Sequence, residues 1–412
     1  MKIANISSTH EANYCILKAD ITFKNKKTEK AYLKISDTYK DFLVSDASPF
    51  LAAVLLPCMK SGESIEIDGT VSQDLLDNTK KIMTLVHSWD IGLKPVEITV
   101  KDTDRTVYKT TAVASFFTAG VDSFYTYTKH KKDKQPIDHV ILAHGFDIPL
   151  SNQSFFEQVS DTVSEVAEKE HISAIFIETN IGEIIERRLV WDYSHGGALA
   201  AVAHFLRAGI KTLYIPGAVR DDQLFPYGTH PELDKLWSTK TMSVSSDGGE
   251  YDRIQKITEG VSHDPLALQY LRVCTQNIKG KYNCSRCYKC LITMIYLACA
   301  DALHKAKTFD TDIDLAAVKR MYYDYKLKYN IQGEMALALL QKSKRNPELQ
   351  EAIAFSLEKS KKTKLQKRVA NAIAVWDQRY NDRRLYEFIF KMNNKEDRNF
   401  IFTFLSKRGL LK

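Results

Sequence analysis

The stretch Ala112-Val113-Ala114-Ser115-Phe116-Phe117-Thr118-Ala119-Gly120-Val121-Asp122-Ser123 decides the fold. Its first six residues are apolar in nearly every place, so a strand built from them has no wet face and belongs in a sheet covered on both sides. Small residues then break the run, and a helical pattern begins near Asp122. A strand-to-helix turn of this kind presents unpaired backbone N–H groups at the positive end of the helix, where a phosphate is favoured. Thr118, Ala119, Gly120, Val121, Asp122 and Ser123 are therefore candidate phosphate-binding residues, with Ser123 adding a hydroxyl in the first helical turn. No Gly-Lys-Ser/Thr follows, which disfavours a Walker-type loop. Asp122 lies in a turn rather than a core, so its replacement is expected to spare the fold.

The same alternation continues downstream. Apolar strands are expected over 139–144, 174–177 and 212–215, with helices near 122–130, 154–170 and 196–208. Strand-helix alternation of this type predicts an α/β fold with a doubly wound parallel sheet, whose ligands sit at the carboxyl ends of the strands. Upstream, residues 1–110 alternate apolar and polar positions in short runs, with helical segments at 48–59 and 72–88, and read as a strand-rich α+β domain. From Leu291 onward the pattern is helical, with helices expected over 315–327, 333–344, 348–357, 369–380 and 384–390. The expected domains are thus 1–110, 111–300 and a basic helical domain over 301–412.

Cys274, Cys284, Cys287 and Cys290 have the spacing C-x9-C-x2-C-x2-C, a knuckle suited to tetrahedral thiolate coordination of Zn²⁺. Four protein ligands leave no position for a reacting water, so a zinc ion here would be structural. The three remaining cysteines, Cys15, Cys58 and Cys299, are scattered, and an odd total of seven suits a reduced, cytoplasmic setting better than a disulfide framework. The longest apolar run, Phe50 to Pro57, is too short for a bilayer span, so no membrane association is expected.

The turn and the knuckle together resemble the PP-loop ATP pyrophosphatases, the adenine nucleotide α-hydrolase-like superfamily (HUP type). Its motif, Ser-Gly-Gly-x-Asp-Ser, stands here as Thr118-Ala119-Gly120-Val121-Asp122-Ser123. Thr for Ser keeps a hydroxyl, whereas Ala for Gly narrows the room for a positive φ. Within the superfamily, residues 112–300 look most like 7-cyano-7-deazaguanine synthases, which carry a similar cysteine cluster; the flanking parts have no counterpart there. The resemblance implies ATP and Mg²⁺ as cofactors beside Zn²⁺, with His144 and Gly145 on the adenosine side and Gly217 at a later strand end. It further implies a catalytic role for Asp122 and Ser123, with Asp122 helping to organise Mg²⁺. The segment Asp252-Arg253-Ile254-Gln255-Lys256-Ile257 is similar to the family's Ser-Lys-x-x-Ile helix start, so Arg253 or Lys256 would meet the phosphates, a solvated helix charge being the plainer alternative. The implied reaction is adenylation of a carboxylate or amide oxygen, with release of AMP and pyrophosphate after attack by a nitrogen nucleophile.

Two segments are candidates for the acceptor side. Ser194-His195-Gly196-Gly197-Ala198 starts a helix with small residues suited either to a ligand or to close packing. The long polar loop 217–234 contributes Asp221, Tyr227, His230 and Asp234 as substrate candidates, with loop capping as the alternative. The acceptor would be a small molecule or a peptide or protein carboxylate. Rival readings are a tRNA-thiolating enzyme of the same superfamily, which could replace zinc by an iron–sulfur cluster, and a non-catalytic nucleotide-binding subunit of an anti-phage complex with partners from the same operon. Net charge is +7, and residues 301–412 hold 24 Lys and Arg against 14 Asp and Glu. A nucleic-acid partner for that segment, centred on the run Lys359 to Arg368, is a weak expectation, because no interleaved aromatics accompany the charge.

Overall fold

The computed structural model of the protein describes residues 1–24, 27–278, 280–323 and 329–362. Two compact units divide the chain, Met1–Asp314 and Leu315–Lys412. The first carries ten strands: β1 (Lys2–Glu11), β2 (Tyr14–Thr22), β3 (Thr28–Ser36), β4 (Ile65–Ser72), β5 (Ile98–Asp104), β6 (Ala112–Phe116), β7 (His139–His144), β8 (Ser173–Thr179), β9 (Ile210–Pro216) and β10 (Ser243–Asp247). Its helices are α1 (Ser48–Ser61), α2 (Gln73–Ser88), α3 (Val121–His130), α4 (Gln153–Glu170), α5 (Ile181–Glu186), α6 (Trp191–Phe205), α7 (Pro231–Asp234), α8 (Arg253–Glu259), α9 (Pro265–Tyr270) and α10 (Tyr288–Cys299).

All ten strands form one sheet in the order β10-β9-β6-β7-β8-β3-β2-β1-β4-β5. The five strands from β10 to β8 are mutually parallel, and β3 then joins β8 in antiparallel register, Leu33 opposite Thr179. The strand-rich stretch expected over 1–110 and the parallel sheet expected over 111–300 are therefore two halves of one sheet, in one compact unit. Every residue of β6 is buried. Alternation sends Ala114 and Phe116 into the core with α1 and α6, while Phe117, just past the strand, packs its ring on Phe124 of α3 at 4.9 Å.

Helix α1 is hydrophobic on all sides from Ser48 to Met59 and is correspondingly buried. A proline in its first turn and Gly62 at φ 70° bound it. It lies so close to α6 that a Cβ on Gly197 would meet the Ala52 carbonyl oxygen at 2.8 Å.

The second unit contains α11 (Leu315–Arg320), α12 (Tyr329–Ser343) and α13 (Pro347–Lys362) among its described residues. Ala336, Leu340, Leu349, Ala352 and Ile353 are buried there, and the Ser356 hydroxyl donates to the Met321 carbonyl oxygen at 2.8 Å. The helices expected over 369–380 and 384–390, and most of the basic run from Lys359 to Arg368, lie outside the described residues.

Candidate functional site

From β6 the chain proceeds to β7 and β8 on one side, then crosses to β9 and β10 on the other. The reversal opens a crevice at the carboxyl ends of β6, β7 and β9, where ligands of such sheets sit. A cavity of about 230 Å³ occupies it. Thr118, Gly120, Asp122 and Ser123 line one end; Ile141, Leu142, Ala143, Phe146 and Ile148 make an apolar wall.

Ala119 supplies the bend of the turn at φ 56°, a left-handed conformation, with its methyl fully buried. Gly120 then opens α3 without a side-chain cap, so the first amides of the helix are left for another acceptor. Ser123 donates its hydroxyl back to the Gly120 carbonyl oxygen at 3.1 Å.

Asp122 is the most heavily engaged group at the site. Its two carboxylate oxygens receive Arg253 Nη2 at 2.7 Å and Lys256 Nζ at 3.1 Å. Both cations come from α8, three residues apart and so on one face, and Asp252 and Gln255 fix the start of that helix in a reciprocal capping box. Lys256 is fully buried and also donates to the Gly217 carbonyl oxygen. Burial would raise the Asp122 carboxyl, but Arg253 and Lys256 outweigh it and hold the group at about 2. Arg253 and Lys256 thus come to the turn of residues 118–123, as partners of Asp122. A Mg²⁺ ion does not fit Asp122 as it stands, because both oxygens already face cations.

Beyond the turn, His195 lines the cavity. Its Nδ1 donates to the Trp191 carbonyl oxygen at 2.8 Å, which leaves Nε2 to accept from the Thr229 hydroxyl at 3.2 Å. Burial holds this histidine below its ordinary range despite that first bond, so it is neutral. Tyr227 packs its ring against it at 4.6 Å. A second chamber of about 230 Å³ adjoins the first through Ala218, Tyr227 and Thr229, and Gly217, Asp221, Asp247, Glu250 and Lys129 line it.

Other predicted residues take structural positions. His144 is buried, stacked on Phe156 at 4.1 Å, and donates to the Pro149 carbonyl oxygen. Gly145 sits at φ 102° where a Cβ would strike the Thr179 carbonyl oxygen, so it serves the chain bend. His230 caps α7, its Nδ1 accepting from the Glu232 amide at 3.1 Å. Asp234 is fully buried against Ser246, and burial lifts its carboxyl to about 7 although Ser246 opposes this. None of these four lines either chamber. The glycines after His195 serve packing, Gly196 against Gly228 and Gly197 against α1.

The four knuckle cysteines converge. One ligand atom from each lies within 4.8 Å of the others, with Cys274 and Cys287 sulfurs 4.0 Å apart and Cys284 and Cys290 sulfurs 3.9 Å apart. Tetrahedral zinc with Zn–S near 2.3 Å requires sulfur separations of about 3.8 Å, so the donor set fits the ion. Backbone amides of Cys287 and Cys290 point at the sulfurs of Cys284 and Cys287, and the hydrogen bond from Cys290 holds the Cys287 thiol below its ordinary range.

The sequence reading missed Arg272, which lines the cavity and is almost fully buried. Its backbone N–H donates to the Ala119 carbonyl oxygen at 2.8 Å, joining the knuckle segment to the turn. Its place two residues before Cys274 was the available signal. Comparisons with protein-family models, curated proteins and solved structures return no match.

Proposed function

We propose that this chain is an ATP-dependent carbon–nitrogen ligase of the PP-loop ATP pyrophosphatase kind, related in mechanism to 7-cyano-7-deazaguanine synthases. The observation that carries the reading is the uncapped start of α3, which opens onto a cavity at the reversal point of the parallel sheet. Phosphates would lie at the turn and the base along the apolar wall of β7.

An acceptor oxygen would attack the α-phosphorus as the bond to the β-phosphate oxygen breaks, pyrophosphate leaving with the electron pair. A nitrogen nucleophile would then form the new C–N bond at the activated carbon, AMP would depart, and the nitrogen would lose its proton to solvent. The chain's own contribution is positioning and charge: amide donors at the turn, the Asp122–Arg253–Lys256 cluster that fixes its shape, and neutral His195 as a hydrogen-bonding wall. The adjoining chamber with Asp221 and Tyr227 would take the acceptor. Zinc in the knuckle would supply rigidity alone, and no step is routed through magnesium.

Incubation with ATP, candidate carboxylates and ammonia, followed by chromatography of nucleotides, tests the reading. AMP and pyrophosphate are expected, in amounts that depend on the acceptor. ADP and phosphate would sink it.

A further inference from the structure

We infer that Arg272 is the cation that receives the nucleotide's phosphates, and that the cysteine knuckle holds it in place for this. The inference rests on the nucleotide-binding reading above and adds a residue that the sequence motif does not supply.

Arg253 and Lys256, the cations that the motif suggests, are both turned onto Asp122. Arg272 is the only Lys or Arg among the described residues that line the cavity. Its residue exposure is 6%, and its buried Nε has no hydrogen-bond partner among the described residues. A buried charged donor left unpaired is costly, and an anion in the cavity would remove that cost. The rest of the side chain is held: Nη2 donates to Asn277 Oδ1 at 3.1 Å, and the guanidinium lies 5.2 Å from the centre of the Phe155 ring. The backbone is fixed to the phosphate turn, through the Arg272 amide on Ala119 and through the Arg272 carbonyl oxygen, 3.6 Å from where a Gly120 Cβ would stand.

That segment is also pinned from the knuckle. Asn283 Oδ1 accepts from the amides of Val273 and Cys274 at 2.9 and 3.1 Å, and Asn283 Nδ2 donates to the Leu271 carbonyl oxygen at 2.8 Å. Asn283 is no metal ligand, but it precedes Cys284 and so passes the knuckle's geometry to the segment carrying Arg272. Asn283 is therefore a positioning residue.

Calorimetric titration of the full, zinc-loaded chain with ATP, with pyrophosphate and with adenosine tests this. Loss of a charge-assisted contact predicts that Arg272→Gln weakens ATP and pyrophosphate binding by about ten- to a hundredfold while adenosine binding is unchanged. Arg272→Lys should recover part of the loss. Asn283→Ala should weaken pyrophosphate binding in the same direction with zinc content still at one per chain. Wild-type affinity for pyrophosphate in Arg272→Gln would overturn the inference and leave the ligase reading standing. Failure of the wild-type chain to bind either ATP or pyrophosphate would overturn both.

Discussion

Ala119 adopts a left-handed backbone that costs an L residue roughly 1–2 kcal/mol relative to glycine, and its buried methyl offsets about 0.8 kcal/mol of that; the turn carries the departure from Gly at a small net cost. Three residues further on, Asp122 corrects a simpler expectation. A residue in a turn is ordinarily dispensable for folding, but this one neutralises Lys256, which has no exposure to water. Breaking a buried pair by removing one partner costs about 3–5 kcal/mol, so Asp122→Asn is expected to lower the melting temperature clearly as well as to abolish turnover. The pH dependence has a definite sign. The Asp122 carboxyl is held at about 2 in the folded chain against an ordinary 3.8; its contribution is complete above the ordinary value and is lost as pH falls through the folded one. The difference in melting temperature between wild type and Asp122→Asn should therefore shrink between about pH 4 and pH 2. A difference constant across that range would show that the ion pair is not its source.

At the scale of elements, the knuckle is more than a staple on a loop. It joins α9 to α10, and the segment leading into it bonds the turn at Ala119, so metal occupancy should be felt in the stability of the whole first unit. Metal analysis of the purified chain is expected to give about one zinc per chain, and Cys287→Ser to lose it and melt earlier, because structural zinc contributes folding energy directly. Metal-free protein with unchanged melting would remove the knuckle from the account. The cysteine spacing was legible because four thiols within seventeen residues have few other uses. Strands β6 and β7 were equally legible, being apolar on both faces and bounded by turns. Strands β1 and β10 were not: β1 is mostly exposed, and β10, Ser-Val-Ser-Ser-Asp, is short and polar. Among site residues, Asp122, Ser123 and His195 could be read from local pattern. Arg272 had only its place two residues before Cys274 to mark it, and the chain's return from α9 to the turn is what brings it to the cavity. His230 and Asp234 read as ligands because a polar residue in a loop looks the same in sequence whether it binds a ligand, caps a helix through Glu232 or is buried against Ser246.

The whole molecule differs from its sequence pattern most at residue 110. Composition changes there, from short half-buried strands to fully apolar ones, and the change suggests two folding bodies. It reflects instead the two ends of one sheet, the outer strands having one wet face and the central ones none. The most extensive contacts between the halves are the pairing of β3 with β8 and the packing of α1, buried throughout, along α6. A fragment that begins at residue 111 would leave the edge of β8 unpaired and strip α6 of its largest apolar partner. Exposed edges and apolar surface of that kind lead to aggregation. Residues 1–314, by contrast, keep every strand among the described residues, the knuckle and the cavity. Expressed separately, 1–314 is expected to unfold in a single cooperative calorimetric transition and to retain zinc, whereas 111–314 should show no such transition. A cooperative transition in 111–314 would mean that the β3–β8 pairing joins two independent domains, and that the boundary suggested by composition is real.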